Sequence, residues 1–246
     1  MPEIQAIVSR FIAALTGHRC PACDRRSSTL VCTPCAGAMP GAHTSRCIQC
    51  ALPLASGKFC GACLKAPPYF DASYAAFDFA TPASTLIKHL KFHKMPAVAH
   101  WFALSMMARL PLELSADFII PVPLSTSRLR ERGFNQAWIL AQALSQQWRV
   151  KHSVKLASPS PQFPLPRWDL ASRVIDTPIQ RSLDRLARQT NMRGVFLVHH
   201  PEALISKHVL LVDDVMTTGA TLNELARTLK QAGANRVSCV VACRTV

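Results

Sequence analysis

The chain has 246 residues, 49% of them hydrophobic, which suffices for one α/β core and a small extra module and is too apolar for a wholly disordered chain. No apolar run reaches the roughly 18–20 residues that a membrane helix needs, so no membrane span is expected. A net charge of +14 points instead to a polyanionic partner.

Ile4, Ile7, Val8, Phe11, Ile12 and Leu15 recur at helical spacing, which predicts an N-terminal helix over residues 1–18. Glu3 comes early and Arg10 late in this stretch. That order suits neither the charged start nor the apolar centre of a secretion signal, and a cytoplasmic location is expected. Ten cysteines in such a chain then speak for metal rather than disulfides.

Eight of them form four C-x-x-C pairs: Cys20/Cys23, Cys32/Cys35, Cys47/Cys50 and Cys60/Cys63. A two-residue spacer lets both sulfurs face one point while backbone N–H groups turn toward them. Two such knuckles complete a tetrahedral, all-sulfur site, which suits Zn²⁺ and leaves no open position for chemistry. Large apolar residues are scarce here, so metal must stand in for a core. The spacing predicts a double zinc ribbon over residues 19–66, with two structural Zn²⁺ sites. Sequential pairing is the simpler arrangement; spacing alone also permits an interleaved one. Cys239 and Cys243 differ, lying in the apolar run "RVSCVVACRTV" as small core residues.

Pro67-Pro68 breaks the chain, and residues 67–246 are expected to form the main domain. Residues 72–79 alternate as a strand. "ASTLIKHLKFH" and "PAVAHWFALSMMARL" carry helical periodicity, "ADFIIPVP" reads as a buried strand, and "NQAWILAQALSQQW" as a helix. Between these last two, "STSRLRERGFNQA" is expected to form a loop, with Gly133 easing entry into the next helix and Asn135 capping it. The proline-rich "VKHSVKLASPSPQFPLPRWDLAS" reads as a further loop. "SLDRLARQTNMRGVF" is predicted helical and runs into "VFLV". "HVLLV", "TLNELARTLKQAG" and "RVSCVVACRTV" complete a strand–helix–strand unit. The alternation implies a mainly parallel sheet with helices on both faces, whose ligands bind beyond the carboxyl ends of the strands.

At that edge lies "VLLVDDVMTTGAT", residues 209–221. The apolar strand is expected to end on Asp213 and Asp214, followed by a threonine-glycine turn into a helix. The turn's N–H groups and the helix dipole favour a phosphate, and Gly219 permits close approach. Thr217, Thr218 and Thr221 add hydroxyls, with Ala220 between them. The acids would repel phosphate unless something between them wants acceptors. Ribose hydroxyls do, so the stretch reads as a ribose-5-phosphate cradle.

The same stretch resembles the phosphoribosyl pyrophosphate signature of type I phosphoribosyltransferases. With "LIKHLKFHK", "PVPLSTSRLRERGFNQA", "TPIQRSLDRLARQTNMRGVF", "VSCVVACRT" and the cysteine block, the chain resembles the ComF/GntX family of competence or DNA-utilization proteins along nearly its whole length. The resemblance implies a type I phosphoribosyltransferase-like sheet behind a double zinc ribbon, and a role in natural transformation, where internalised single-stranded DNA is handled in the cytoplasm. It implies that Asp213 and Asp214 hold ribose hydroxyls and that Thr217, Thr218, Gly219, Ala220 and Thr221 hold the phosphate. Mg²⁺ would then be held mainly by the diphosphate and ribose oxygens. The proline-rich link is longer than is usual for the family.

Residues 125–200 carry twelve Lys/Arg against four acids. Arg128, Arg130, Arg132 and Gly133 should reach the phosphate edge, and Arg181, Arg185 and Arg188 share a helical face. These residues either clamp a diphosphate or track a nucleic-acid backbone; a solvated face is the plainer account. Phe134 can stack on a base or pack in the core. No residue stands out as a general base. Three roles remain: a single-stranded DNA binder on a phosphoribosyltransferase scaffold, an active phosphoribosyltransferase with an unidentified acceptor, or a zinc platform for DNA-uptake or recombination proteins.

Overall fold

The computed structural model describes residues 17–93, 95–153, 164–175 and 194–246. The predicted N-terminal helix up to residue 16, residues 154–163 of the proline-rich stretch, and most of the predicted helix "SLDRLARQTNMRGVF", together with Arg181, Arg185 and Arg188, lie outside these residues.

Four strands form a parallel sheet in the order β3 (Ala72–Asp78), β8 (Arg236–Arg244), β7 (His208–Met216), β4 (Phe118–Pro121). The two central strands are covered on both faces and are therefore apolar almost throughout: Val209, Leu210, Leu211 and Val212 have no exposed surface. Helices α3 (Ala83–Phe92), α4 (Pro96–Met107) and α6 (Gln136–Ser153) cover one face, packing Leu86, Phe102, Leu140 and Leu144 on Leu210, Val212 and Val240. Helix α7 (Ala220–Gln231) covers the other with Leu222, Leu225, Ala226 and Leu229, an i, i+3, i+4, i+7 stripe. Beside it lies a small antiparallel pair, β5 (Ala171–Arg173) with β6 (Phe196–Val198). Cys239 and Cys243 are fully buried. Among the described residues no helix is long and apolar enough to cross a membrane.

The cysteine-rich module contains the short pair β1 (His18–Arg19) and β2 (Arg26–Ser27) and the single turns α1 (Thr33–Gly37) and α2 (Gly61–Lys65). It straddles the exposed edge of β3. Cys20 and Cys32 join the helix-covered core, whereas Cys47, Cys50 and Cys63 join the core under α7. Module carbonyls also cap the edge strand: the Ser73 amide donates to Ile48 O and the Asp78 amide to Pro40 O, both at 2.8 Å. An edge strand left open would be a pairing site for another chain. Arg46 strengthens the seam, reaching Asp78 Oδ1 at 2.7 Å and the carbonyls of Ala51 and Gly41. Arg109 crosses it as well, donating to Gly41 O, Ala42 O and Ala76 O.

Four elements differ from the sequence expectation, the first being β5, which begins inside the stretch expected to be a proline-rich loop. The arginine-rich "loop" contains helix α5 (Thr126–Arg132), started by Ser125, whose hydroxyl accepts from the Arg128 amide, and ended by Gly133 at φ 73°. Helix α6 runs on to Ser153, past the expected Trp148. Strand β7 continues to Met216, because Asp213, Val215 and Met216 keep pairing with β8. The two acids therefore sit inside a strand rather than at its end.

Candidate functional site

The carboxyl ends of β4 and β7, the last turn of α3 and the first turn of α7 converge at one edge of the sheet. Asp214 follows Leu210 and Val212 on the helix-covered face. It is 4% exposed, and its Oδ2 lies 2.8 Å from Lys91 Nζ at the end of α3. Asp213 points to the opposite side. The acids are held by the backbone itself: the Asp214 amide donates to Asp213 Oδ1 at 2.8 Å, and the Val215 amide to Asp214 Oδ1 at 2.9 Å. Burial pushes the Asp213 carboxyl well above the usual carboxylate range, the Asp214 charge adds to this, and Lys91 opposes it. Lys91 is ion-paired to Asp214, and Asp213, with Oδ1 taken by the Asp214 amide, keeps acceptor capacity for hydroxyl donors.

Met216 ends the strand, and Thr217, Thr218 and Gly219 make the turn. Gly219 has φ 81°, a conformation that favours glycine, while a Cβ there would meet only the flexible tip of Met216 at 2.7 Å. The Ala220 amide donates to Thr218 Oγ1 at 3.3 Å. Thr217 is exposed, and Thr218, Ala220 and Thr221 are half-buried. Under the turn lies Arg244, 3% exposed at the end of β8. Its guanidinium donates to Cys50 O at 2.9 Å, to Met216 O at 3.0 Å and to Thr217 O. One buried cation thus joins the second cysteine cluster to the turn. Cys50, Cys63, Thr218 and Gly219 also line a common cavity of about 690 Å³. Arg244→Met keeps the length and removes the donors. It is expected to cost about 3 kcal/mol, since buried carbonyls lose their partner. Urea unfolding reads this out, and an unchanged midpoint would mean that those carbonyls find other donors.

Arg132 of α5 reaches the same edge, with its guanidinium 5.6 Å above the Phe92 ring, next to Lys91, and Nη1 donating to Gln136 at 3.0 Å. Arg128 is half-buried and Arg130 exposed on the same helix. Asn135 caps α6 as expected, accepting from the Ala137 amide at 2.9 Å. Phe134 is half-buried. Arg181, Arg185 and Arg188 are outside the described residues.

Sequence reasoning passed over Lys91 and Arg244. Both carried a signal. Lys91 falls four residues after the buried Ile87, on the core-facing stripe of α3, and Arg244 ends a run buried on both faces. A cation in either place requires a partner.

The eight cysteines gather in sequential order, Cys20, Cys23, Cys32 and Cys35 in one tetrad and Cys47, Cys50, Cys60 and Cys63 in the other. Within each, all sulfurs lie within 4.8 Å of one another. Tetrahedral coordination with Zn–S near 2.3 Å puts sulfurs about 3.8 Å apart. The Cys23–Cys32 and Cys50–Cys60 separations are 3.6 and 3.5 Å. Backbone amides turn toward sulfur, Cys32 N to Cys20 Sγ at 3.4 Å and Cys60 N to Cys47 Sγ at 3.3 Å. Burial alone would raise the Cys20 thiol, but hydrogen bonds from the Cys32, Ala22 and Cys23 amides outweigh it and bring it down to about 7. Both tetrads fit a soft tetrahedral cation.

Residues 169–245 match the phosphoribosyl transferase domain family, and residues 11–64 the double zinc ribbon domain family. The chain is 33% identical over 225 residues to DNA utilization protein YhgH of Salmonella typhimurium, covering 88% of this chain and 91% of that one. It is 31% identical over 189 residues to competence protein F of Haemophilus influenzae, covering 72% and 75%. Competence protein ComFC of Bacillus subtilis shares 32% over 115 residues, covering 47% and 39%. With a double zinc ribbon clasping the edge of a phosphoribosyltransferase sheet, and with relatives matched over most of both lengths, the chain belongs to the ComF/YhgH family.

Proposed function

We propose that the chain holds a 5-phosphoribosyl diphosphate-type ligand at the end of β7 and handles internalised single-stranded DNA in the cytoplasm. The observation that carries the first half is the pair Asp213–Asp214, with Lys91 as counterion, beside the turn that opens α7. Ribose 2′ and 3′ hydroxyls donate to carboxylates. The 5′-phosphate accepts from the amides and hydroxyls of Thr217, Thr218, Gly219, Ala220 and Thr221, at the positive end of α7. Mg²⁺, bound mainly by the ligand's own oxygens, would neutralise the diphosphate. Lys91 places a further cation at that mouth. Arg128, Arg130 and Arg132, with Gly133 ending their helix, supply positive charge for the diphosphate or for a nucleic-acid backbone. The two cysteine tetrads hold structural Zn²⁺. The second half rests on the relatives' names, which speak of DNA utilization and competence, and on the basic excess over residues 125–200.

Titration calorimetry with phosphoribosyl diphosphate, with and without Mg²⁺, tests the cradle. Heat that saturates at one ligand per chain is expected; none under either condition sinks the reading. A second reading, an active phosphoribosyltransferase with an unidentified acceptor, is favoured by the intact "DDVMTTGAT". Diphosphate release across a panel of bases, amines and DNA ends separates it from a pure binder.

A further inference from the structure

Trp168 is 69% exposed, an uncommon position for so large an apolar side chain. Its neighbours hold it there. Arg167 and Asp169, on either side, turn to each other in a two-point ion pair (Nε–Oδ1 2.8 Å, Nη2–Oδ2 2.6 Å). The Arg167 amide donates to Ile119 O at 2.8 Å, and Leu170 is fully buried. The backbone is therefore pinned on both sides, and the indole stands out on a fixed stalk.

With Trp138, Leu129, Pro123, Asn135 and Arg173, it lines a cleft of about 460 Å³ at the end of β4. Trp138 is half-buried in the first turn of α6. That turn is fixed by Asn135, which donates to Val122 O at 3.0 Å while capping the helix. Arg173, 6.0 Å over the Phe196 ring, gives the lining a cation, and Asp169 is already neutralised by Arg167. Arg128 and Arg130 stand beside Leu129 in the sequence of the short helix α5.

An apolar cleft alone would suit many ligands. Two indoles, a lining arginine, two further arginines on the adjoining helix and a place on the same sheet edge as the phosphate turn narrow the choice. Nucleobases offer flat faces on a polyanionic strand, and only unpaired bases have those faces free. We propose that the cleft between Trp138 and Trp168 is the base-stacking platform for single-stranded DNA, with Arg128, Arg130 and Arg173 on its phosphates. This rests on the DNA-handling half of the function proposed above and gives it a location.

The test titrates the full, metal-loaded chain with a thymidine 20-mer at low salt. Tryptophan emission and the anisotropy of labelled oligonucleotide are followed together. Trp148 is buried and Trp101 is stacked on Phe77 at 5.4 Å, so neither should respond. Wild type should bind with quenching. Trp168→Ala should weaken binding about tenfold and lose most of the quench, whereas Trp168→Phe should stay within about threefold. The Arg128→Ala, Arg130→Ala double variant should lower the salt slope by about 1.4. Thermal midpoints serve as the folding control, since Trp168 supports no core. Undiminished binding and quenching by Trp168→Ala would overturn the platform and leave DNA handling standing. Equal competition by duplex of the same length would overturn it too. No binding by wild type at low salt would remove the DNA-handling reading itself, and the platform with it.

Discussion

Stripping metal from the two cysteine tetrads is expected to unfold the ribbon module and to lower the thermal midpoint of the whole chain by more than about 10 °C. In the ribbon, Val31 and Met39 are the only buried apolar residues larger than alanine or cysteine among those described before Phe70. Four sulfurs crowded within 4.8 Å have no reason to stay together without a cation. Structural zinc in small ribbons is worth on the order of 10 kcal/mol, far more than such a core could supply. Loss of the module also uncovers the amides of Ser73 and Asp78 on β3, so self-association should accompany unfolding. The measurement is calorimetric melting and light scattering before and after chelation, with metal content checked by mass spectrometry. Cys32→Ser with Cys35→Ser, and Cys60→Ser with Cys63→Ser, separate the two sites. A metal-free chain that melts unchanged would show that the ribbon stands on protein contacts alone.

The second large effect is expected from Asp213→Asn, with opposite signs in two assays. Binding of phosphoribosyl diphosphate should fall at least about a hundredfold, because an amide offers one acceptor where the carboxylate offers two and carries no charge. Stability at neutral pH should rise. The sign follows from the raised carboxyl. A group protonated more readily in the folded chain than in the unfolded one stabilises most below its unfolded pKa, and that contribution is lost as pH rises toward its folded pKa. Asparagine keeps the acceptor for the Asp214 amide and removes the cost of burying charge. Denaturant midpoints between pH 4 and 8 should therefore decline more steeply with pH in wild type than in the variant. Lys91→Met should do the reverse. It removes the cation that favours the charged Asp213, so its loss of stability should grow with pH. A stabilised variant that cannot bind would mark Asp213 as strain kept for a ligand. Equal binding by wild type and Asp213→Asn would take the sugar off the acids.

Much of this was legible before any coordinates. The continuous apolar runs of β7 and β8 announced strands covered on both faces, the C-x-x-C spacing announced the tetrads, and the stretch from the acids to Gly219 announced a strand, a turn and a helix start. What stayed hidden depends on partners distant in the chain. Lys91 acquires meaning only opposite Asp214, and Arg244 only opposite Cys50 and Thr217. Helix α5 was bounded by visible signals, Ser125 and Gly133, but its arginines drew the reading toward a loop. The β5–β6 pair has three-residue strands, too short for alternation to register.

Arg244 gives the molecule an assembly rule. Two modules that share one buried guanidinium cannot be exchanged like cassettes. A ribbon grafted from a relative would have to bring a carbonyl to the position of Cys50, or the Arg244 Nε–H would lose its acceptor beneath the pocket floor. In this lineage the joint and the pocket must therefore change together.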